Sequence, residues 1–136
     1  KIVFFFFFLD ALPSYLAEYA IDKGTFMRIH TISVKLTPGV TMEQFVDFYK
    51  TKVLAGYEEI TPGLKTYMLK YLRGEGKGSM TIVWTFKSEK DRDHYFNDDG
   101  TPKEAGKVLQ QKMKPIVDEL SKLGSATTSW SDWVVQ

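Results

Sequence analysis

Two histidines, His30 and His94, are the side chains of this chain whose ordinary titration lies nearest neutrality. Cysteine is absent, which excludes disulfides, thiol catalysis and thiolate metal sites. His30 stands in MRIHTISVKL, where His30, Ile32, Val34 and Leu36 alternate with their neighbours. An imidazole on the apolar face of a strand is placed to act as a general base on a ligand held there. It is equally placed to be a core histidine bonded to a neighbour. His94 precedes Tyr95 on a short polar stretch and reads as a pocket-rim residue or simply a solvent-facing one. A metal pair of the two would need a carboxylate such as Asp91 or Asp98 close by, and nothing in the spacing fixes that; no metal and no cofactor is expected.

Aromatic side chains are the second resource. Trp84, Tyr67 and Tyr95, with His94, are the residues expected to line a pocket suited to a flat apolar ligand; Tyr71 and Trp130 extend the supply. The competing reading is that aromatics at strand spacing are plain core. Other motifs are weaker. Gly74-Glu75-Gly76-Lys77-Gly78 joins two strands and lacks the Gly-Lys-Ser/Thr ending of a phosphate loop. Asp98-Asp99-Gly100 lacks the further acidic ligands of a calcium loop, and no G-x-S-x-G nucleophile motif is present. The net charge of +1, with basic residues scattered among acids, provides no basic surface for nucleic acid.

The elements that must position these residues follow from periodicity. MRIHTISVKL is a strand. Thr41-Met42-Glu43-Gln44 is a capping box that opens a helix carrying Phe45, Phe48, Tyr49, Val53, Leu54 and Tyr57. LKTYMLKYLR is a second strand, and SMTIVWTF a third, with Met80, Ile82, Trp84 and Phe86 on one face. Ser88-Glu89-Lys90-Asp91 starts a short helix. Thr101-Pro102-Lys103-Glu104 predicts a restart with Thr101 as the cap and Pro102 in the first helical position. Val108, Leu109, Met113, Ile116, Val117, Leu120 and Leu123 mark a buried stripe, Pro115 predicts a kink, and TTSWSDWVV is the last strand. The order β-α-β-β-α-β predicts an α+β, ferredoxin-like fold: a four-stranded antiparallel sheet with helices on one face. The other face, with Ile29, Val83, Trp133 and Val135 between Thr and Ser, is half apolar and is expected to meet a second copy.

Residues 1–26 are set apart from the domain at 27–136. Lys1 followed by Ile2 to Leu9, with Phe4, Phe5, Phe6, Phe7 and Phe8 in a row, matches the charged and apolar regions of a signal peptide, so the expected location is secreted or periplasmic. The run is too short to span a bilayer. It also has the composition of a self-pairing strand. If retained, it would drive assembly, since burying each Phe is worth roughly 1.5–3 kcal/mol.

The element order, the stretch VWTFKSEKDRDHYFNDDGTPKEAGKV and the closing SDWVV resemble the dimeric α+β barrel superfamily, which includes antibiotic-biosynthesis monooxygenase-like, NIPSNAP-like and stress-responsive A/B-barrel domains. The resemblance covers about residues 27–136. It implies a homodimer with a pocket between sheet and helices in each subunit. It also implies activities ranging from cofactor-free oxygenation, haem degradation and cyclisation to none known. The haem-degrading branch carries a tryptophan, a histidine and an asparagine at positions that fall here on Tyr95, Gly106 and Ile32. All three matches fail, and the iron would lack an axial ligand. Two functions are therefore expected as alternatives. One is an exported homodimeric domain binding an apolar small molecule, with monooxygenase-like or isomerase-like chemistry in which His30 takes a substrate proton. The other is a self-assembling subunit built through Phe4–Phe8.

Overall fold

Strand β1 (Phe26–Leu36) lies inside the sheet because its alternation gives it two usable faces. The computed structural model describes residues 21–75 and 79–136; the phenylalanine run, and the export or assembly role expected of it, lies outside the described residues. After β1 come α1 (Met42–Phe48), a π-helical segment (Tyr49–Leu54) and α2 (Ala55–Ile60), then β2 (Lys65–Leu69), β3 (Ser79–Phe86), α3 (Glu89–Asp93), α4 (Glu104–Ser121) and β4 (Gly124–Val134). The sheet order is β2-β3-β1-β4, and every pairing is antiparallel. This is the ferredoxin-like α+β arrangement that the periodicity predicts.

The register fixes the two faces. His30 pairs with Ile82 and Ile32 with Met80, so these side chains share the helix-covered face. There Ile32, Met80 and Ile82 pack with Phe45 and Leu54 from the helical layer. Phe45 and Ile82 are fully buried, each contributing roughly 1.5–3 kcal/mol by removal of apolar surface from water. At the other end of the sheet Phe26, Leu64 and Phe86 form a second cluster, against which Trp84, Tyr57 and Tyr95 pack. The helices themselves approach closely where α2 carries Gly56: a Cβ there would stand 3.0 Å from the terminal methyl of Met113 on α4.

The capping box forms as predicted. The Thr41 N–H donates to Gln44 Oε1 and the Gln44 N–H to the Thr41 hydroxyl. Four other expectations are corrected. The second strand stops at Leu69, whose partner Thr81 is the last of the β2–β3 ladder; beyond it the Tyr71 hydroxyl turns back onto the Gly74 carbonyl. The cap of α4 is Lys103 rather than Thr101. Thr101 is instead held in a turn, its N–H and hydroxyl both donating to Asp99 Oδ1, while Pro102 bridges to Phe96. The π-helical segment was not foreseen; its wider turns put Val53 and Leu54 together in the core. Finally, Val108 is exposed, so the buried stripe of α4 is narrower than its apolar residues suggest. Pro115 lies inside a single helix of 18 residues. Among the described residues no helix is long and apolar enough to cross a membrane.

Candidate functional site

Between the covered face of the sheet and the helical layer lies a cavity of about 350 Å³. Sheet residues Phe26, Ile32, Trp84 and Phe86 form its floor. Tyr49, Val53 and Tyr57 descend from the first helical layer, and Leu109, Val117 and Leu120 from α4. Ala126 and Thr128 of β4 form the remaining wall. The volume falls within the range of roughly 300–1,000 Å³ typical of small-molecule sites, and the lining has their mostly apolar character. A wider groove of about 750 Å³ beside β2 contains no histidine and no buried cation; polar groups converge in the first cavity.

His30 reaches this cavity from β1, its ring 5.7 Å from that of Trp84. Burial, reinforced by the neighbouring Arg28 cation and only partly opposed by Asp132, pushes its pKa down to about 4. The imidazole is therefore neutral at physiological pH and presents an acceptor. Burial, and then the proximity of Tyr57, pushes the Tyr49 phenol up to about 12; burial alone raises Tyr57. Both phenols stay protonated and available as donors. Tyr57 also packs against Trp84, with ring centroids 4.9 Å apart.

The sequence reading missed the charged corner of this cavity. Arg28, on the same face of β1 as His30 and two residues before it, is buried. It forks onto Asp132 of β4, with Nε to Oδ1 at 2.7 Å and Nη2 to Oδ2 at 2.8 Å. Its guanidinium lies 4.3 Å from the Trp130 ring centre and 5.5 Å from that of Phe96, a cation–π sandwich. Arg92 of α3, 4% exposed, places Nη2 at 2.9 Å from the Asn97 carbonyl oxygen and 3.3 Å from Asp132 Oδ2. Its Nη1 donates to Asp93 at 2.9 Å. One carboxylate thus ties two buried guanidinium groups. The signal available in the sequence was a charged residue at position 28, in phase with an otherwise apolar strand face.

Of the residues expected at a pocket, His30 and Trp84 are brought together on the cavity wall. Three are not. Tyr67 is opposite Val83 in the ladder, on the uncovered face of the sheet, where it is exposed: the one-residue alternation of β2 sends it away from the helices. Tyr95 stacks on Phe86 with centroids 5.9 Å apart and belongs to the second core cluster rather than to the wall. His94 is exposed and packs edge-on against Tyr95 at 4.8 Å. Among the described residues no group of three or more His, Asp or Glu is arranged to hold a metal ion.

Titration of His30 has a consequence for stability. Its native pKa lies below the ordinary value of 6.5, so as pH falls the unfolded chain takes up this proton first. Its contribution to stability is full above about pH 6.5 and is lost as pH falls toward about 4. Urea midpoints measured across that window should fall more steeply for the parent chain than for His30→Gln. Parallel curves would mean that His30 does not titrate in this way.

No family model matches the sequence, and no curated protein matches it significantly. Solved structures do share its fold. SnoaB, a cofactor-independent oxygenase from Streptomyces nogalater, superposes with a TM-score of 0.52 at 12% identity, covering 83% of this chain and 94% of that one. A NIPSNAP family protein from Agrobacterium tumefaciens gives 0.56 at 13% identity, covering 87% and 91%. A dimeric ferredoxin-like protein from an uncultured marine organism gives 0.52 at 16% identity, covering 82% and 97%. The chain therefore shares with these structures the ferredoxin-like α+β fold that its element order suggested.

Proposed function

We propose that this chain is a homodimeric pocket domain that binds a flat, apolar small molecule between its sheet and its helices. The observation that carries the reading is the cavity itself: a mostly apolar hollow, open to solvent on one side, whose lining brings a neutral imidazole and two protonated phenols beside the Trp84 ring. His30 is the group available to accept a proton from a ligand held there. The likeness to a cofactor-independent oxygenase supports chemistry at such a site without a bound cofactor, and His30 would supply the proton acceptor. The imidazolium so formed is disfavoured by burial and by Arg28, so efficient transfer requires a substrate whose anion stays beside His30 and stabilises it.

The test uses 2-naphthamide, a neutral flat probe, titrated calorimetrically into the full chain. Binding that is lost in Val117→Trp, where the larger ring fills the cavity from a partly exposed helix position, supports the reading; binding unaffected by that substitution overturns it.

The dimer rests on the uncovered sheet face. Trp133 and Tyr67 are more than half exposed, and they flank Ile29 and Val83 across the four strands. A dimeric fold neighbour supports pairing of two copies. The parent chain should sediment at twice its 15.6 kDa mass, and Trp133→Glu, which replaces an exposed aromatic of this face with a charge, should sediment as a monomer. A variant that still dimerises would exclude this face. Export, or assembly through Phe4–Phe8, is a separate proposal resting on the composition of that run alone; the mass of the mature chain from its native source decides it.

A further inference from the structure

The cavity has a sign. Among the described residues its charged wall residues are Arg28 and Arg92, and no carboxylate lines it. Asp132 ties both guanidinium groups from behind, contributing to a separate crevice on the far side of Arg92. Asp93 and Asp98 also face Arg92, at 2.9 and 3.8 Å, but from the solvent side, with 39% and 103% of their side-chain surface accessible. Neither they nor Asp132 reach the cavity. Within the buried cluster, two cations share one anion.

Hydrogen bonding leaves the same surplus. The fork between Arg28 and Asp132 consumes Nε and Nη2. Arg92 has its two terminal nitrogens engaged, but its Nε is buried without a partner. A buried guanidinium nitrogen left unpaired is costly, and the Arg92 Nε, beside the Arg28 cation at one corner of an apolar cavity, leaves an incomplete anion site. Gln110 adds a neutral amide to the lining. The remaining wall suits rings and hydrocarbon.

We infer that the ligand of this cavity is an aromatic or polycyclic acid, whose carboxylate or other ring-borne anionic group is received by Arg28 and Arg92 while its apolar body lies against Trp84. The inference deepens the pocket reading and rests on it. Planar guanidinium groups recognise carboxylates through paired donors, and in a partly desolvated site that recognition discriminates strongly against a neutral isostere.

The experiment compares 2-naphthoate with 2-naphthamide, which share shape and differ in charge, by calorimetry on the full chain near neutral pH. The naphthoate should bind at least about tenfold more tightly, with a preference that shrinks in Arg92→Met while amide binding persists. Arg92→Met leaves the Arg28–Asp132 fork in place. Should that variant fail to fold, Arg92→Lys provides the reading, since it keeps the charge but not the fork and should retain only part of the preference. Equal affinity for the two probes in the parent chain, or a preference unchanged in a folded Arg92 variant, overturns the anion assignment and leaves the pocket intact. Failure of both probes to bind overturns the pocket reading itself.

Discussion

Asp132→Ala should destabilise the fold by about 3–5 kcal/mol, the range for removing one partner of a buried ion pair. The carboxylate is the common acceptor of Arg28 and Arg92, whose side chains are only 11% and 4% exposed. Deleting it leaves two guanidinium groups facing one another with no counter-charge between them. The carboxylate is itself a quarter exposed, which places the expectation at the lower end of the range. Asp132→Asn keeps the shape and one acceptor and should lose less. The measurement is the urea midpoint at constant m-value. A midpoint for Asp132→Ala within about 0.5 kcal/mol of the parent would mean that the arginines are satisfied by other groups and that the charged corner of the cavity has been misjudged.

Gly106→Ala should also destabilise the chain, by about 1–3 kcal/mol or more, against the trend for such a change. In an ordinary helix interior alanine is favoured over glycine by about 1 kcal/mol. Here a Cβ on Gly106 would stand 2.3 Å from the Tyr95 carbonyl oxygen and 3.0 Å from Pro102 Cβ. That carbonyl accepts the Lys103 N–H at 2.8 Å, so it cannot retreat without opening the turn that joins α3 to α4. Lys107→Ala, one position on and exposed, is the control and should be nearly silent. Gly106→His, the residue that the resemblance to the haem-degrading branch would require there, should be more damaging still, since a larger side chain meets the same carbonyl. A stable Gly106→Ala protein with unchanged thermal midpoint would show that the α3–α4 turn yields easily.

Comparison of sequence and structure separates what is local from what is not. The strand at His30 was legible because a period of two survives in any context that buries one face. The helix start at Thr41 was legible because both partners of its capping box lie within four residues. The start of α4 was misplaced because Asp99, two residues upstream, competes for the same Thr101 hydroxyl and amide, and propensity alone does not arbitrate between a cap and a turn. Tyr67 was assigned to the pocket from its type; the register of β2 decides its face, and that depends on where the ladder begins. The charged corner is the furthest from view. Arg28 and Asp132 are 104 residues apart, and Arg92 and Asp132 are 40 apart. Only the pairing of β1 with β4, Arg28 opposite Asp132, brings them together. His30 was foreseen as a group on the covered face, but its depressed pKa comes first from burial and then from Arg28, which periodicity placed there and which the eye passes over as a surface residue.

Strand β4 is joined to β1 along its whole length, from Phe26 opposite Val134 to Leu36 opposite Gly124, yet every residue of it after Gly124 is exposed. Its backbone is committed throughout, while its side chains are engaged chiefly at the Asp132 end. Ala126 and Thr128 line the cavity, and exposed positions of this kind generally tolerate exchange within about 0.5 kcal/mol. Mutation at these two positions can therefore redraw one wall of the cavity while the buried core that holds the fold goes untouched. If the cavity is the binding site proposed above, β4 is in evolutionary terms the part of the molecule where ligand preference is free to drift, by changes confined to this strand.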